Sequence, residues 1–216
     1  MSTATTTTTA RASKLLIALG NHPPQYARTR HNAGVLALNA IAAQTGSTAF
    51  ARASNYESST TPSGTVLLRP CLFMNECGLA LKKQFTKGYD VCAVHDELEL
   101  PLGKVRLKKG GSAKGHNGVK SVAQALGSLD FYRLQIGIGR PVSRDPSAVY
   151  QYVLSPFKPD ELEEVNYSIA LAMDLLARRL GCKVVMKMSC AVDLVNNTIF
   201  TQFFTRHQAF LILNMS

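Results

Sequence analysis

Side chains able to perform acid–base chemistry fall into three clusters of this 216-residue sequence. The clusters are NHPPQYARTRHN from Asn21 to Asn32, then Phe73-Met74-Asn75, and finally His95-Asp96-Glu97 together with Gly115-His116-Asn117-Gly118. They supply imidazoles, carboxylates and amides that can orient a carbonyl group. Such an inventory is typical of a hydrolase in which a histidine activates water and a carboxylate orients that histidine. The sequence has no G-x-S-x-G motif, which argues against a serine hydrolase.

Each cluster also has an ordinary structural interpretation. His31 precedes a predicted helix, where a histidine often caps the helix or faces solvent. Asn75 and Asn117 fit the role of helix N-cap, and Asp96 fits a hydrogen bond to a loop. The third cluster contains metal-ligand atoms but lacks tight ligand spacing. From these residues alone two classes stay open, a basic hydrolase and an RNA-binding protein.

The elements that must position these clusters alternate between short apolar runs and helical patterns, which predicts an α/β fold. Lys14–Leu19 (KLLIAL) predicts a buried first strand, which the following Gly-Asn-His-Pro-Pro segment ends. Further patterns predict a helix from near Asn32 to Gln44 and then a strand over Val66–Arg69. They also predict a helix from about Asn75 and then a strand over Val91–His95. The clusters therefore lie where strands end and helices begin, the usual place for sites in open α/β sheets.

The second half of the chain continues the alternation. Lys104–Lys108 (KVRLK) predicts a half-buried strand with outward cations, followed by a Gly-rich loop. A helix over Asn117–Leu126, a strand over Arg133–Ile138 and an amphipathic helix over Asp160–Leu180 complete the pattern. We therefore predict one α/β domain with a twisted, mixed central β-sheet flanked by helices on both faces.

The charge balance indicates a polyanionic partner. Lys and Arg total 24 against 14 Asp and Glu, which gives a net charge of +10. Between Pro101 and Lys120 there are six cations and no acid. Such a balance favours phosphate contacts with counterion release. A solvated basic surface is the alternative that composition leaves open.

The cysteines and the chain ends bear on localisation and domain limits. Five cysteines without a C-x-x-C pair indicate reduced intracellular thiols rather than disulfides or a zinc site. No apolar stretch approaches the roughly 20 residues of a membrane span. Residues 1–13 are expected to form a disordered tail, with a transit peptide as the alternative. Residues 182–216 are expected to form an atypical extension of unassigned role. We expect a cytoplasmic protein, with the mitochondrion as the alternative.

Four segments resemble, in order and spacing, the motif blocks of bacterial-type peptidyl-tRNA hydrolases: LLIALGNHPPQYARTRHNAG, LRPCLFMNECGLAL, VHDELELPLGKVRLKKGG and GHNGVKSVAQALG…DFYRLQIGIGRP. The resemblance covers roughly residues 14–180. It implies an esterase that cleaves the bond between a peptide, or an N-blocked aminoacyl group, and tRNA. It further implies no metal or organic cofactor, peptidyl-tRNA as the partner, and a monomer without a stable protein partner. A non-catalytic RNA-binding protein on the same fold is the alternative.

The resemblance also implies roles for individual residues. His31, in the T-R-H-N-A-G motif, matches the general base, and Asp96, in H-D-E-L, matches the carboxylate that orients it. Asn75 and Asn117 match amides that bind the peptide or the attacked carbonyl. Asn21 matches a residue that helps to select N-blocked peptides over free aminoacyl groups.

At the substrate cleft two aromatic residues match the family pattern, whereas one turn departs from it. Tyr26 and Phe73 match residues that line the substrate cleft, where aromatic faces can stack on the terminal adenine of tRNA. The family's L-G-N-P-G turn reads Gly20-Asn21-His22-Pro23-Pro24 here, so the proline is displaced by one residue.

The phosphate contact departs from the family pattern. Lys108 matches a lysine that binds the 5′ phosphate of the tRNA. The arginine partner that family members often carry is replaced by Gln135. We therefore expect either a weakened phosphate clamp or a substitute from Arg133 or Arg140.

Overall fold

The computed structural model describes residues 13–81 and 83–182. Its strands are β1 (Ser13–Ala18), β2 (Ala51–Arg52), β3 (Tyr56–Thr60), β4 (Val66–Pro70), β5 (Tyr89–Glu97), β6 (Val105–Lys109) and β7 (Tyr132–Gly137). Its α-helices are α1 (Ala33–Thr45), α2 (Lys83–Thr86), α3 (Asn117–Leu126), α4 (Pro146–Leu154) and α5 (Pro159–Leu180). Shorter 3-10 helices cover Pro24–Tyr26, Arg30–Asn32 and Met74–Ala80.

The seven strands form one mixed sheet in the order β2-β3-β4-β1-β5-β7-β6. β1 pairs in parallel with β4 and β5, and β5 pairs in parallel with β7. The β2–β3, β3–β4 and β6–β7 pairs are antiparallel. Because parallel neighbours end at the same edge of a sheet, the segments that follow β1, β4 and β5 converge there.

Apolar side chains cover both faces of this sheet. Leu16 and Ala18 of β1 belong to a core formed with α1 and α5. Leu15 and Ile17 belong to a second core, formed with α3 and the Met74–Ala80 helix. This division follows from the strand geometry, since successive side chains point to opposite faces. The predicted mixed sheet with helices on both faces is therefore confirmed.

Helix ends follow ordinary capping chemistry. The backbone N–H of Lys158 donates to Oε2 of Glu161 at 2.7 Å, which closes the first turn of α5. Gly181 ends the same helix in the left-handed conformation, at φ 65°. No described helix combines the length and the apolar character that crossing a membrane requires.

Most of the predicted elements are present. The strands β2 and β3 and the helices α2 and α4 were not anticipated. For α4 the sequence held a usable pattern: Asp145 accepts the N–H of Ser147 at 2.8 Å, and Pro146 takes the first helical position. Residues 1–12 and 183–216 lie outside the described residues, so the predicted tail and extension stay predictions.

The helix expected from about Asn75 is a 3-10 helix rather than an α-helix. Its buried residues Met74, Cys77 and Ala80 recur every third position, which matches the three residues per turn of that conformation. The helix packs tightly on α3, since a Cβ at Gly78 would lie 2.1 Å from the carbonyl oxygen of Ser121.

Candidate active site

His31 and Asp96 lie side by side although 65 positions separate them in the chain. His31 lies in the 3-10 helix that leads into α1, and Asp96 is the penultimate residue of β5. Nδ1 of His31 is 3.0 Å from Oδ1 and 3.0 Å from Oδ2 of Asp96. Because a carboxylate only accepts hydrogen bonds, Nδ1 carries the proton and Nε2 keeps a lone pair. Nε2 has no partner among the described residues, so it is available to take a proton.

A second imidazole, to which the sequence analysis gave no role, binds the same carboxylate. Nε2 of His116 lies 2.9 Å from Oδ1 of Asp96. Nδ1 of His116 accepts the backbone N–H of Val119 at 3.3 Å, as the side-chain cap of α3. This cap places the proton of His116 on Nε2, so His116 also donates to Asp96. The usable pattern in the sequence was a polar residue just before a predicted helix, within the third cluster.

The two imidazoles keep Asp96 ionised despite its burial. Asp96 is 3% exposed. Burial alone would raise its pKa, but the nearby His31 and His116 hold the pKa well below its usual range. Burial likewise would lower the pKa of His31, yet the charge and hydrogen bond of Asp96 raise it above the ordinary 6.5. His31 therefore keeps its proton to a higher pH than a free imidazole does.

His95 packs behind this pair. Its ring centroid lies 4.7 Å from that of His116, which in turn lies 5.1 Å from that of His31. Its Nδ1 lies 2.6 Å from the backbone carbonyl oxygen of Asp96. Burial, with a smaller contribution from His116, lowers the pKa of His95 to about 3. His95 is therefore neutral near pH 7 and supports the site by packing.

Asn21 is held in place by both its backbone and its side chain. Its N–H donates to Oδ1 of Asn32 at 2.8 Å, and its carbonyl accepts from Nδ2 of Asn32 at 2.9 Å. Its Oδ1 accepts the N–H of Met74 at 2.9 Å, which joins the end of β1 to the segment after β4. The remaining donor, Nδ2 of Asn21, has no partner among the described residues. Asn32, to which no sequence pattern pointed, fixes this arrangement.

An open cleft of about 950 Å³ brings together seven of the eight predicted site residues, namely Asn21, Tyr26, His31, Phe73, Asn75, Asp96 and Asn117. Phe73 is 50% exposed there. The side chains of Asn75 and Asn117 hydrogen-bond to none of the described residues. The helix-cap interpretation of both is wrong, because Phe73 and His116 occupy the N-cap positions. Their amides are free to bind a ligand.

Comparison with known proteins agrees with this arrangement. A family model described as peptidyl-tRNA hydrolase matches residues 15–197. A peptidyl-tRNA hydrolase of Methylobacillus flagellatus is 42% identical over 177 residues, which are 79% of this chain and 91% of that protein. One of Solidesulfovibrio magneticus is 41% identical over 181 residues, 75% of this chain and 84% of that protein. The chain belongs to the peptidyl-tRNA hydrolase family.

A solved structure of the family shows the same fold. The crystal structure of peptidyl-tRNA hydrolase from Acinetobacter baumannii matches with a TM-score of 0.68 at 31% identity, over 76% of this chain and 87% of that chain. The predicted family, fold class and enzymatic activity on the ester bond of peptidyl-tRNA are thereby confirmed. These relatives lend no support to the alternative of a non-catalytic RNA-binding protein.

In this peptidyl-tRNA hydrolase three side chains offer atoms with metal-ligand chemistry. Nitrogen atoms of His31 and His116 and an oxygen of Asp96 lie within 4.8 Å of one another. Their hydrogen bonds fit a metal ion poorly, because the cap from Val119 requires the proton of His116 to sit on Nε2, the atom that faces the others. The absence of a metal cofactor stays a prediction.

Lys108, the eighth predicted residue, lies outside the cleft lining, on β6 beside β7. Both substitutes suggested by the sequence already have partners in the described structure. Both Nη atoms of Arg133 donate to backbone carbonyl oxygens of the Gly-rich loop, including that of Ser112 at 2.8 Å. Nη2 of Arg140 is paired with Glu99 at 2.7 Å. Arg133 in particular is buried, so it shapes the loop rather than contacting a ligand.

Proposed function

We propose that this peptidyl-tRNA hydrolase uses His31 as its general base and Asp96 to orient and stabilise it. The supporting observation is the contact between Nδ1 of His31 and Asp96, which directs the lone pair of Nε2 toward the open cleft. His116 is a positioning residue, because its Nε2 donates to Asp96, the carboxylate that orients His31.

The reaction follows from this arrangement. Nε2 of His31 takes a proton from a water molecule while the water oxygen attacks the ester carbonyl carbon. The carbonyl π electrons move to oxygen and form a tetrahedral oxyanion. When the carbonyl re-forms, the bond to the ribose oxygen breaks and the imidazolium returns its proton to that oxygen. Asp96 stabilises the transient imidazolium, and the products are a peptide with a free carboxyl group and tRNA.

The unpaired amides are the groups that bind the peptide. Asn75 and Asn117 face the cleft without partners in the described structure, so either can donate to the attacked carbonyl or to its oxyanion. Nδ2 of Asn21 is a fixed donor that suits the carbonyl of an N-blocking group. A free α-amine carries no acceptor at that place, which accounts for selection of N-blocked substrates.

The aromatic and basic groups bind the RNA. Tyr26 and Phe73 line the cleft, and the exposed face of Phe73 suits stacking on the terminal adenine. Lys108 on β6 contributes a phosphate contact. No metal or organic cofactor takes part in the proposed reaction, since an ester requires only a base and donors for the oxyanion.

We propose that the enzyme is cytoplasmic. We also propose that it is a monomer without a stable protein partner. Free thiols at Cys71, Cys77 and Cys92 support a reducing compartment. Light scattering coupled to gel filtration measures the oligomeric state. Imaging of the full chain with a C-terminal fluorescent tag separates the cytoplasm from the mitochondrion.

Release of N-acetylated amino acid from charged tRNA tests the function, with wild type compared with His31→Ala. Loss of a general base lowers kcat by about 10²- to 10⁴-fold. His22→Ala is the matched control, because His22 is exposed and lies outside the cleft lining. The proposed role of His31 is wrong if His31→Ala keeps wild-type kcat, or if His22→Ala loses as much.

A further inference from the structure

Gln135 joins a cation to a buried carboxylate at the edge of the sheet. It lies in β7, opposite Arg106 of β6, and is 1% exposed. Its Oε1 accepts the Nε–H of Arg106 at 2.8 Å. Its Nε2 donates to Oε2 of Glu97, the last residue of β5. The amide therefore links strands β5 and β6 across β7.

The chemistry of the two partners fixes the orientation of this amide. A carboxylate only accepts hydrogen bonds and a guanidinium only donates them, so Nε2 must face Glu97 and Oε1 must face Arg106. Glu97 is buried, and it has no ion pair with any described cation. Its second oxygen, Oε1, accepts the backbone N–H of Glu99 at 3.2 Å. The charge of Glu97 thus polarises the amide toward Arg106.

This contact leaves the binding end of Arg106 open. Nε is engaged with Gln135, whereas neither Nη atom has a partner within the described part of the chain. Arg106 is exposed, and it shares a face of β6 with Lys108, two positions along and roughly 7 Å away. Lys108 forms no ion pair with any described carboxylate. Two cations therefore lie side by side, and neither is in direct contact with a described carboxylate.

Other positive charges surround the pair. Burial lowers the pKa of Lys108, and the charges of Arg133, Arg106 and Lys114 lower it further, while the charge of Glu97 offsets part of this effect. Like charges this close repel one another, so the arrangement destabilises the free protein until an anion binds. Arg133 cannot turn toward that anion, because its Nη atoms are bound to the loop carbonyls.

We propose that Arg106 and Lys108 together bind one phosphate group of the tRNA, and that Gln135 is a positioning residue that directs Arg106 toward it. This inference rests on the proposed function and adds the second cation of the phosphate site. A guanidinium held at Nε presents both Nη groups as a fork that fits two phosphate oxygens. Gln135 thus compensates for the absence of an arginine at its own position.

Steady-state kinetics on N-acetylaminoacyl-tRNA test the cation. Arg106→Gln is expected to raise KM about tenfold with kcat unchanged. It should also reduce by about one the slope of the logarithm of the tRNA-binding constant against the logarithm of salt concentration. Lys104→Gln is the matched control, since Lys104 is exposed, lies near the same strand and undergoes the same loss of charge. The phosphate role of Arg106 is overturned if both variants raise KM equally or if neither does.

The source of the phosphate is resolved with dephosphorylated tRNA. If the effect of Arg106→Gln disappears on tRNA that lacks its 5′ phosphate, the bound group is that terminal phosphate. If the effect persists, the bound group is a backbone phosphate of the acceptor stem. Both outcomes support an anion site at this pair of residues.

Gln135→Leu tests the positioning role, because leucine keeps similar volume but makes neither hydrogen bond. The expected result is a several-fold rise in KM in the Gln135→Leu variant and no further rise when this change is added to Arg106→Gln. A purely structural role would instead lower the melting temperature and kcat for every substrate. Gln135→Asn gives a second, more conservative variant for the same measurement. An unchanged KM in both variants would overturn the positioning role.

A short substrate separates this inference from the proposed function. An N-acetylaminoacyl ester of the trinucleotide CCA lacks the acceptor stem, so Arg106→Gln and Gln135→Leu should cleave it at the wild-type rate. If wild type cleaves neither this ester nor the full tRNA substrate, the proposed function fails. If wild type cleaves both and the variants match it on the full substrate, only the inference fails.

Discussion

Nδ1 of His31 lies equally far, 3.0 Å, from the two carboxylate oxygens of Asp96. This symmetrical contact centres the ring on the carboxylate and sends Nε2 away from it, into the cleft. His116 donates to one of the same oxygens at 2.9 Å, so rotation of the carboxylate would break that bond. The direction of the Nε2 lone pair of His31 therefore depends on Asp96 and on His116.

Asp96→Asn is expected to lower kcat/KM by about 10²- to 10⁴-fold and to move the acid limb of the pH profile. Only unprotonated His31 acts as a base, so activity rises with pH through the pKa of His31. Asp96 raises that pKa above 6.5, whereas burial alone lowers it. Without the carboxylate, the residual activity should therefore rise at a lower pH than in wild type. A limb that stays in place would contradict the assignment of His31.

His116→Asn separates the two contacts of His116. Asparagine is a strong N-cap and keeps α3 closed, but its shorter side chain does not reach Asp96 as Nε2 does. We expect a near-wild-type melting temperature and a kcat about tenfold lower, because a hydrogen bond to a charged group contributes about 1.5 kcal/mol. His116→Ala should show the same loss of kcat and lose about 1 kcal/mol of stability as well. Equal stability of the two variants would contradict the capping role.

Stability should depend on pH through His31. Its pKa in the folded protein is raised, so its contribution to the free energy of unfolding is fully present below the unfolded value near 6.5. That contribution is lost as pH rises through the folded pKa. The stability advantage of wild type over His31→Ala in urea unfolding should therefore shrink as pH rises from about 6.5 through the folded pKa of His31. An advantage that grows over this range would contradict the sign of the shift.

Lys114 combines a charge with an unfavourable backbone conformation, at φ 47°. Glycine adopts this region without the steric cost that other residues incur. Lys114→Gly should therefore raise the free energy of unfolding by about 1 kcal/mol, while tRNA binding weakens through loss of a cation near Lys108. Lys114→Ala is the control: it loses the same charge and gains no such relief. Equal stability of the two variants would show that the conformation costs little.

Several features of the fold were predictable because they rest on local patterns. The apolar run after Ser13 and the stripe of α5 from Val165 to Leu180 gave a strand and a helix within one or two residues of their observed bounds. β2 and β3 were missed because Ala51–Arg52 and Tyr56–Thr60 lack an apolar run, and β3 is a strand mainly through its pairing with β4. Local propensity carries little information where tertiary pairing decides.

The sequence by itself determined the family, the fold class and the residue types at the cleft, because motif order and hydrophobic periodicity are properties of the chain. Tertiary structure alone decided how those residues are used. It brought His116 onto Asp96, placed Asn32 against the backbone of Asn21, directed Arg133 to loop carbonyls and bound Arg106 to Gln135. Each of these contacts joins separate segments of the chain, and hydrogen-bond direction depends on atomic positions that no spacing in the sequence encodes.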